Sequence, residues 1–169
     1  MSRAYIIGAL HDATEREYTY RLSQKEREYV EFIANLVRKL GYKAWTYKEG
    51  KDRQLYVVEF SKKALDGFEI KTDEDKRDYI RGYFDAEGSV PNDKKTRFYI
   101  YFCQNNKKDL EEVKGFLKSF GIVCGKTHRP SVIKPNFWRF YVRANSHKKF
   151  VEEIYSWHPR KSQLLRTMI

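Results

Sequence analysis

The segment Gly82-Tyr83-Phe84-Asp85-Ala86-Glu87-Gly88 carries the most specific chemistry in the chain. Gly82 and Ala86 stand four residues apart, on one face of a helix, and both are small enough for a second helix to approach closely. Glu87 follows at the C-terminal end of that helix. A carboxylate gains nothing there from the helix dipole, which disfavours negative charge at that end. A cation beside it removes the conflict. A second segment, Arg3-Ala4-Tyr5-Ile6-Ile7-Gly8-Ala9-Leu10-His11-Asp12-Ala13, has the same form: a short apolar helix, a Tyr three residues before a Gly, and an acid near the end. If Gly8 packs on Gly82, Asp12 and Glu87 become neighbours, and two close carboxylates repel unless cations lie between them. Hard oxygen ligands of this kind suit Mg²⁺ or another divalent cation, which keeps its waters and binds phosphate oxygens. A cation shared with a scissile phosphate activates water and stabilises the leaving oxygen. The plainer alternative is a Gly/Ala helix-packing motif with solvated acids.

The elements that must position these acids repeat. Tyr20-Arg21-Leu22-Ser23-Gln24 corresponds to Ile100-Tyr101-Phe102-Cys103-Gln104, and each opens a charged amphipathic helix that ends at a glycine, Gly41 or Gly121. Val30, Ile33, Ala34, Val37 and Leu40 recur at three and four, as do Leu110, Val113, Phe116, Leu117 and Phe120, so both segments are expected as helices. Lys43–Lys48 and Leu55–Ser61 flank Glu49-Gly50-Lys51-Asp52, a hairpin with turn chemistry. Each half therefore reads helix, strand or hairpin, helix, hairpin, helix. The acidic stretch 66–76 joins the halves, and His158-Pro159 is expected to end the last long helix and begin a short tail. Two half-length units, each too small to bury its own core, imply one pseudo-two-fold domain over residues 1–169, with repeat 1 at about 1–70 and repeat 2 at about 76–169. Gln24 and Gln104 end equivalent strands, where either can orient an attacking water or a substrate phosphate. Lys25 can stabilise charge on that phosphate. His11 is a weaker local candidate.

Period two also sorts the second-half strands into faces. Phe98, Ile100 and Phe102, with Trp138, Phe140 and Val142, form the apolar face. Arg97, Tyr99, Tyr101, Arg139, Tyr141 and Arg143 form the other, which an antiparallel sheet can leave in water. A wet face rich in Arg and Tyr suits phosphate and base-edge contacts. The first half is less suited: Thr19 and Arg21 fit, but Glu59 repels phosphate. The charge agrees. The chain of 169 residues carries 34 Lys+Arg against 23 Asp+Glu, a net +11. Residues 1–75 hold 14 of each sign, so the whole excess lies in 76–169. This balance favours a polyanionic partner, most often nucleic acid.

Composition excludes other classes. At 41% apolar and 16% aromatic the chain is not disordered. No run approaches the 18 or so apolar residues of a membrane span, so no membrane partner is expected. The N-terminus lacks a signal peptide's apolar run. Cys103 and Cys124 make neither a disulfide framework nor a zinc site, and are expected as reduced thiols in a cytoplasmic protein.

The paired motifs resemble those of the LAGLIDADG homing endonucleases, particularly single-chain archaeal, intron-encoded members. The resemblance covers nearly the whole chain, including the second motif, Gln24-Lys25 after the strand and Ser61-Lys62-Lys63 after the hairpin. It implies an α+β fold in which an αββαββα unit occurs twice, with two antiparallel sheets forming a saddle over the DNA major groove and the two motif helices at the centre. It implies Mg²⁺-dependent cleavage of both strands at a long site in double-stranded DNA, by a monomer. Glu87 falls on the family's metal-binding acid. Lys161 resembles the basic residue that follows the family's unit and reaches the active site. The first motif departs from the pattern: Gly82 to Glu87 is five residues, Gly8 to Asp12 four. One residue on a helix is about 100° of rotation and about 1.5 Å of rise. Asp12 can therefore serve only if its helix ends early or its last turn changes. The alternative function is a catalytically impaired nucleic-acid-binding protein of the same fold, an intron RNA maturase or a DNA-binding regulator, with intron RNA as its partner.

Overall fold

The computed structural model describes residues 3–93, 95–133 and 136–167. They form an α+β architecture with two antiparallel sheets. The chain divides into two compact units, Met1–Gly82 and Tyr83–Ile169. No helix among the described residues is long and apolar enough to cross a membrane.

The first unit opens with α1 (Arg3–Ala9), which tightens into a 3-10 turn at Leu10–Asp12. Strands β1 (Ala13–Glu15) and β2 (Thr19–Gln24) precede α2 (Arg27–Lys39), and β3 (Ala44–Lys48) and β4 (Tyr56–Ser61) follow. The sheet order is β1-β2-β4-β3, antiparallel throughout. Val30, Ile33, Ala34 and Val37 on α2 are buried against the face that carries Leu22, Val58 and Phe60. The hairpin loop is longer than its turn chemistry alone implies, running from Glu49 to Leu55 and closed by the Glu49 amide on the Leu55 carbonyl at 2.8 Å. A 3-10 turn at Lys62–Ala64 stands where the repeat calls for a closing helix. Helix α3 (Asp73–Glu87) then begins, and the division between the units falls inside it. Gly82 presses on α1: a Cβ there would lie 2.0 Å from the Tyr5 carbonyl oxygen and 3.0 Å from the Ala9 amide nitrogen. Any side chain would push the helices apart.

The second unit takes the end of α3, then β5 (Gly88–Ser89), β6 (Ile100–Gln104), α4 (Lys107–Ser119) and β7 (Trp138–Val142). The sheet order is β5-β6-β7. Residues 123–128 add an irregular fourth edge, bridged at Cys124 to Val142 and at His128 to Arg139. Its order thereby matches the first sheet. Ile100, Phe102, Phe140 and Val142 are buried, with Phe102 and Phe140 stacked at 5.2 Å. The period-two reading of this strand pair holds, except that Phe98 precedes the strand and Trp138 is only half-buried, with Lys107 Nζ 4.5 Å over its ring.

Helices α2 and α4 end alike. Gly41 and Gly121 take left-handed φ values of 85° and 71°, and the following amides, Tyr42 and Ile122, reach back to the carbonyls of Val37 and Leu117. The left-handed turn carries no side-chain penalty at glycine.

The C-terminal expectation requires correction. Helix α5 is short (His147–Glu153), and the segment after His158 is not a tail but a helix, α6 (Pro159–Arg166). Pro159 occupies the first turn of α6, where its missing N–H has no intrahelical partner to lose, so it starts a helix rather than ending one.

Candidate active site and nucleic-acid interface

In the first unit the 3-10 turn after α1 carries the acid. Four α-helical steps from Gly8 give a rise of about 6 Å, whereas one α step and three 3-10 steps give about 7.5 Å, the same as five α steps from Gly82 to Glu87. The tightened turn thus recovers most of the missing residue. Asp12 is exposed, and its Oδ2 accepts a hydrogen bond from Gln24 Nε2 at 2.6 Å, from the end of β2. In the second unit Glu87 is half-buried at the last residue of α3, and its Oε1 accepts from Gln104 Nε2 at 3.1 Å, from the end of β6. The same acid–glutamine pair therefore occurs once in each unit, at the same place in each repeat. Lys25 follows Gln24 at an exposed bend. The second unit has Asn105 at that position, its amide bonded to Gln104 Oε1 at 2.7 Å. His11 turns away from this chemistry, its Nε2 lying 2.8 Å from the Tyr79 hydroxyl on α3.

The end of α3 is clamped from below. Lys161, on α6, is 5% exposed. Its ammonium donates to three carbonyls, those of Phe84 at 2.8 Å, Asp85 at 2.7 Å and Gly88 at 2.7 Å. These are among the acceptors a helix leaves unsatisfied at its C-terminus. An ammonium has three donors, and all three are taken here. Lys161 thus reaches the acid-bearing helix end and grips its backbone instead of projecting toward a substrate. Burial pushes its pKa down to about 8. Local sequence pattern assigns no role to Asp85. It is 2% exposed and accepts from the Ser156 hydroxyl, the Trp157 amide at 2.9 Å and the His158 amide at 3.1 Å. The one signal for it was an acid on the apolar stretch of a motif helix, where an unpaired charge is costly.

The two sheet faces differ. On the second, Tyr99, Tyr101 and Tyr141 form a contiguous aromatic cluster with ring centroids 5.4–6.3 Å apart. The Arg139 guanidinium sits 4.2 Å over Tyr101. Arg97 and Arg143 are exposed beside them, and shallow grooves flank Tyr141 and Arg143. Residues 113–151 contain nine Lys+Arg and no Asp or Glu. On the first face, Arg21 meets Glu49 at 2.5 Å and donates to the Tyr47 hydroxyl at 3.3 Å. Tyr47 in turn donates to Glu59 at 3.2 Å. Arg21 lies where expected, but its charge is already matched by a carboxylate.

Both cysteines are free thiols; Cys103 Sγ lies 3.0 Å from the Glu87 carbonyl oxygen, and burial pushes Cys124 up to about 12. Among the described residues no group of three or more His, Cys, Asp or Glu side chains could cage a metal. One hard carboxylate per unit, steadied by a neutral amide, instead fits a hard divalent cation that keeps waters and takes its remaining ligands from phosphate oxygens.

Comparison with known proteins agrees with this layout. A family described as "LAGLIDADG-like domain" matches residues 74–155, and one described as "WhiA LAGLIDADG-like domain" matches residues 6–64. Each half of the chain thus matches one of these family models. No curated protein matches. Among solved structures, I-DmoI in complex with DNA and Ca is similar with a TM-score of 0.72 at 20% identity, over 97% of this chain and 96% of that one. I-DmoI in complex with DNA and Mn gives 0.67 at 20% identity, over 89% and 94%. Full-length DUF199/WhiA from Thermatoga maritima gives 0.71 at 16% identity, over 99% of this chain and 61% of that one. At these identities the likeness is one of fold. The two matched segments contain both acid–glutamine pairs: Asp12 and Gln24 in the first match, Glu87 and Gln104 in the second.

Proposed function

We propose that the protein is a site-specific DNA endonuclease that makes a double-strand break at a long target, as a monomer and with a divalent cation, Mg²⁺ in the cell. The observation that carries this reading is the repetition of the acid–glutamine pair, one at each motif-helix end. Two strands must be cut, and the chain offers two equivalent sets of groups. The kinship with single-chain archaeal intron-encoded enzymes, and action as one pseudo-symmetric domain over residues 1–169, belong to this proposal.

Asp12 in the first unit and Glu87 in the second would each hold a divalent cation, which when bound supplies a Lewis acid for the phosphate and an acidified water. Gln24 and Gln104 orient the carboxylates by donating to one oxygen of each. Lys25, exposed beside Gln24, faces negative charge that builds on the phosphate. Lys161 keeps the last carbonyls of α3 satisfied, so that Glu87 leaves the helix in one direction. Arg97, Tyr99, Tyr101, Arg139, Tyr141 and Arg143 bind the duplex, with Arg21 as a weaker contributor.

A plasmid library carrying randomised inserts tests the reading. Linear products captured with Mg²⁺, and absent with EDTA or after Glu87→Gln, are the expected result. Binding without any cutting would favour the impaired-enzyme reading, and nicking of a single strand would point to the shortened first motif as the defective half.

A further inference from the structure

The two sheets can be compared position by position. Gln24 pairs with Tyr56 and Gln104 with Trp138. Three residues along from each pair, the first sheet sets Arg21 opposite Glu59 and the second sets Tyr101 opposite Tyr141. Where the second unit has two tyrosines, the first has a charge pair that includes an acid.

Glu59 is held with unusual completeness for a partly exposed side chain. Thr19 Oγ1 donates to its Oε1 at 2.6 Å, and the Tyr47 hydroxyl donates to its Oε2 at 3.2 Å. Arg16 approaches Oε1 at 3.4 Å. Led by the Thr19 hydrogen bond, these contacts hold the carboxyl below the ordinary range. Donors from two neighbouring strands thus fix both oxygens before any ligand arrives. Oε1 takes donors from both Thr19 and Arg16, while Oε2, with Tyr47 as its donor, keeps a second lone pair.

An ionised acceptor repels phosphate, so this position cannot serve the DNA backbone. It can serve a base edge. In the major groove guanine shows two acceptors, and thymine an acceptor and a methyl group. Adenine shows an amino donor beside the N7 acceptor, which repels a carboxylate. Cytosine shows its amino donor without a neighbouring acceptor.

We propose that Glu59 is a specificity-determining residue of the first unit, accepting a hydrogen bond from the exocyclic amino group of a cytosine in the major groove of the target. The assignment rests on the duplex-binding reading above. Tyr141, at the matching register position, cannot make that discrimination, so the two units read different bases.

Selection of a randomised duplex library by the full chain in Ca²⁺ tests this, with Glu59→Gln and Tyr47→Phe in parallel. The unmodified protein should enrich cytosine at one position of one half-site. Glu59→Gln should lose that preference by about 10-fold at that position alone. Its salt dependence should not weaken, because no phosphate contact is lost. Tyr47→Phe keeps the carboxylate and releases one oxygen, so it should relax the same position by less. It decides the matter if thermal melting shows that Glu59→Gln has not folded. An unchanged cytosine preference in the variants overturns the assignment. A loss spread evenly over all positions also overturns it, by making Glu59 only a counter-ion for Arg16 and Arg21. No enrichment by the unmodified protein would overturn the duplex-binding reading as well.

Discussion

Arg21 and Glu49 meet at 2.5 Å on the sheet face of the first unit. The pair cancels a cation on a surface proposed to meet phosphate, while the matching surface of the second unit holds no acid from residue 113 to 151. Grip on DNA should therefore be uneven. Arg143→Ala and Arg139→Ala should weaken binding more than Arg21→Ala, and each lost phosphate contact should lower the slope of log K against log salt by about 0.9. Titrations at several salt concentrations measure this. Equal losses for the three variants would show that the Glu49 pairing does not hold Arg21 back.

Glu87→Gln should abolish double-strand cleavage and spare binding, because the amide keeps the shape of the side chain and removes the charge that would hold a cation. Asp12→Asn should convert double-strand cutting into nicking. Gel assays that resolve nicked from linear plasmid separate the two. Normal linearisation by either variant would reject that residue's role.

Lys161 gives a pH signature in the metal-free protein. Its pKa is about 8 folded against 10.5 ordinarily. Between these values the unfolded chain holds a proton that the folded chain has shed, so stability should rise with pH across the window and be lost as pH falls through about 8. The full effect is on the order of 3 kcal/mol. Denaturant unfolding of the protein and of Lys161→Met from pH 7 to 10.5 checks it; the difference between the two should shift across the window, and a constant difference would refute the prediction.

Asp85→Ala should remove the carboxylate that the Ser156 hydroxyl and the Trp157 and His158 amides share, the His158 amide keeping its contact with Ser156 Oγ at 3.2 Å. Stranded buried donors cost about 1–3 kcal/mol each, so the variant should melt several degrees lower. Asp85→Asn, which keeps one acceptor oxygen, should lose less. Melting curves for both variants in the absence of DNA provide the comparison.

Much of the fold was legible from local pattern. The three-and-four spacing marks α2 and α4, Gly41 and Gly121 mark their ends, and the alternation through Ile100, Phe102, Phe140 and Val142 marks the buried face of the second sheet. Gln24 and Gln104 stand out as equivalents because each closes a strand before an amphipathic helix. What local pattern could not supply were contacts made across long stretches of chain. Asp85 binds residues more than seventy positions away, and Lys161 caps a helix from a similar distance. Arg21 finds Glu49 only because β2 and β3 both lie beside β4. The helix after Pro159 was missed because proline ends helices in their interior and begins them at their first turn, and composition does not say which.

Gly82 bears on where the gene can be divided. The acidic stretch 66–76 looks like the natural seam between the repeats, yet the residue that lets α3 lie against α1 comes after it. A half-length protein ending at residue 70 would expose the Tyr5 and Ala9 backbone that Gly82 covers, and would be a poor starting point for building a two-chain version of the protein. A half that ends at Gly82 keeps that packing intact, but it cuts α3 five residues short of Glu87. Recombining halves from different relatives is thus best done inside the helix and not in the loop.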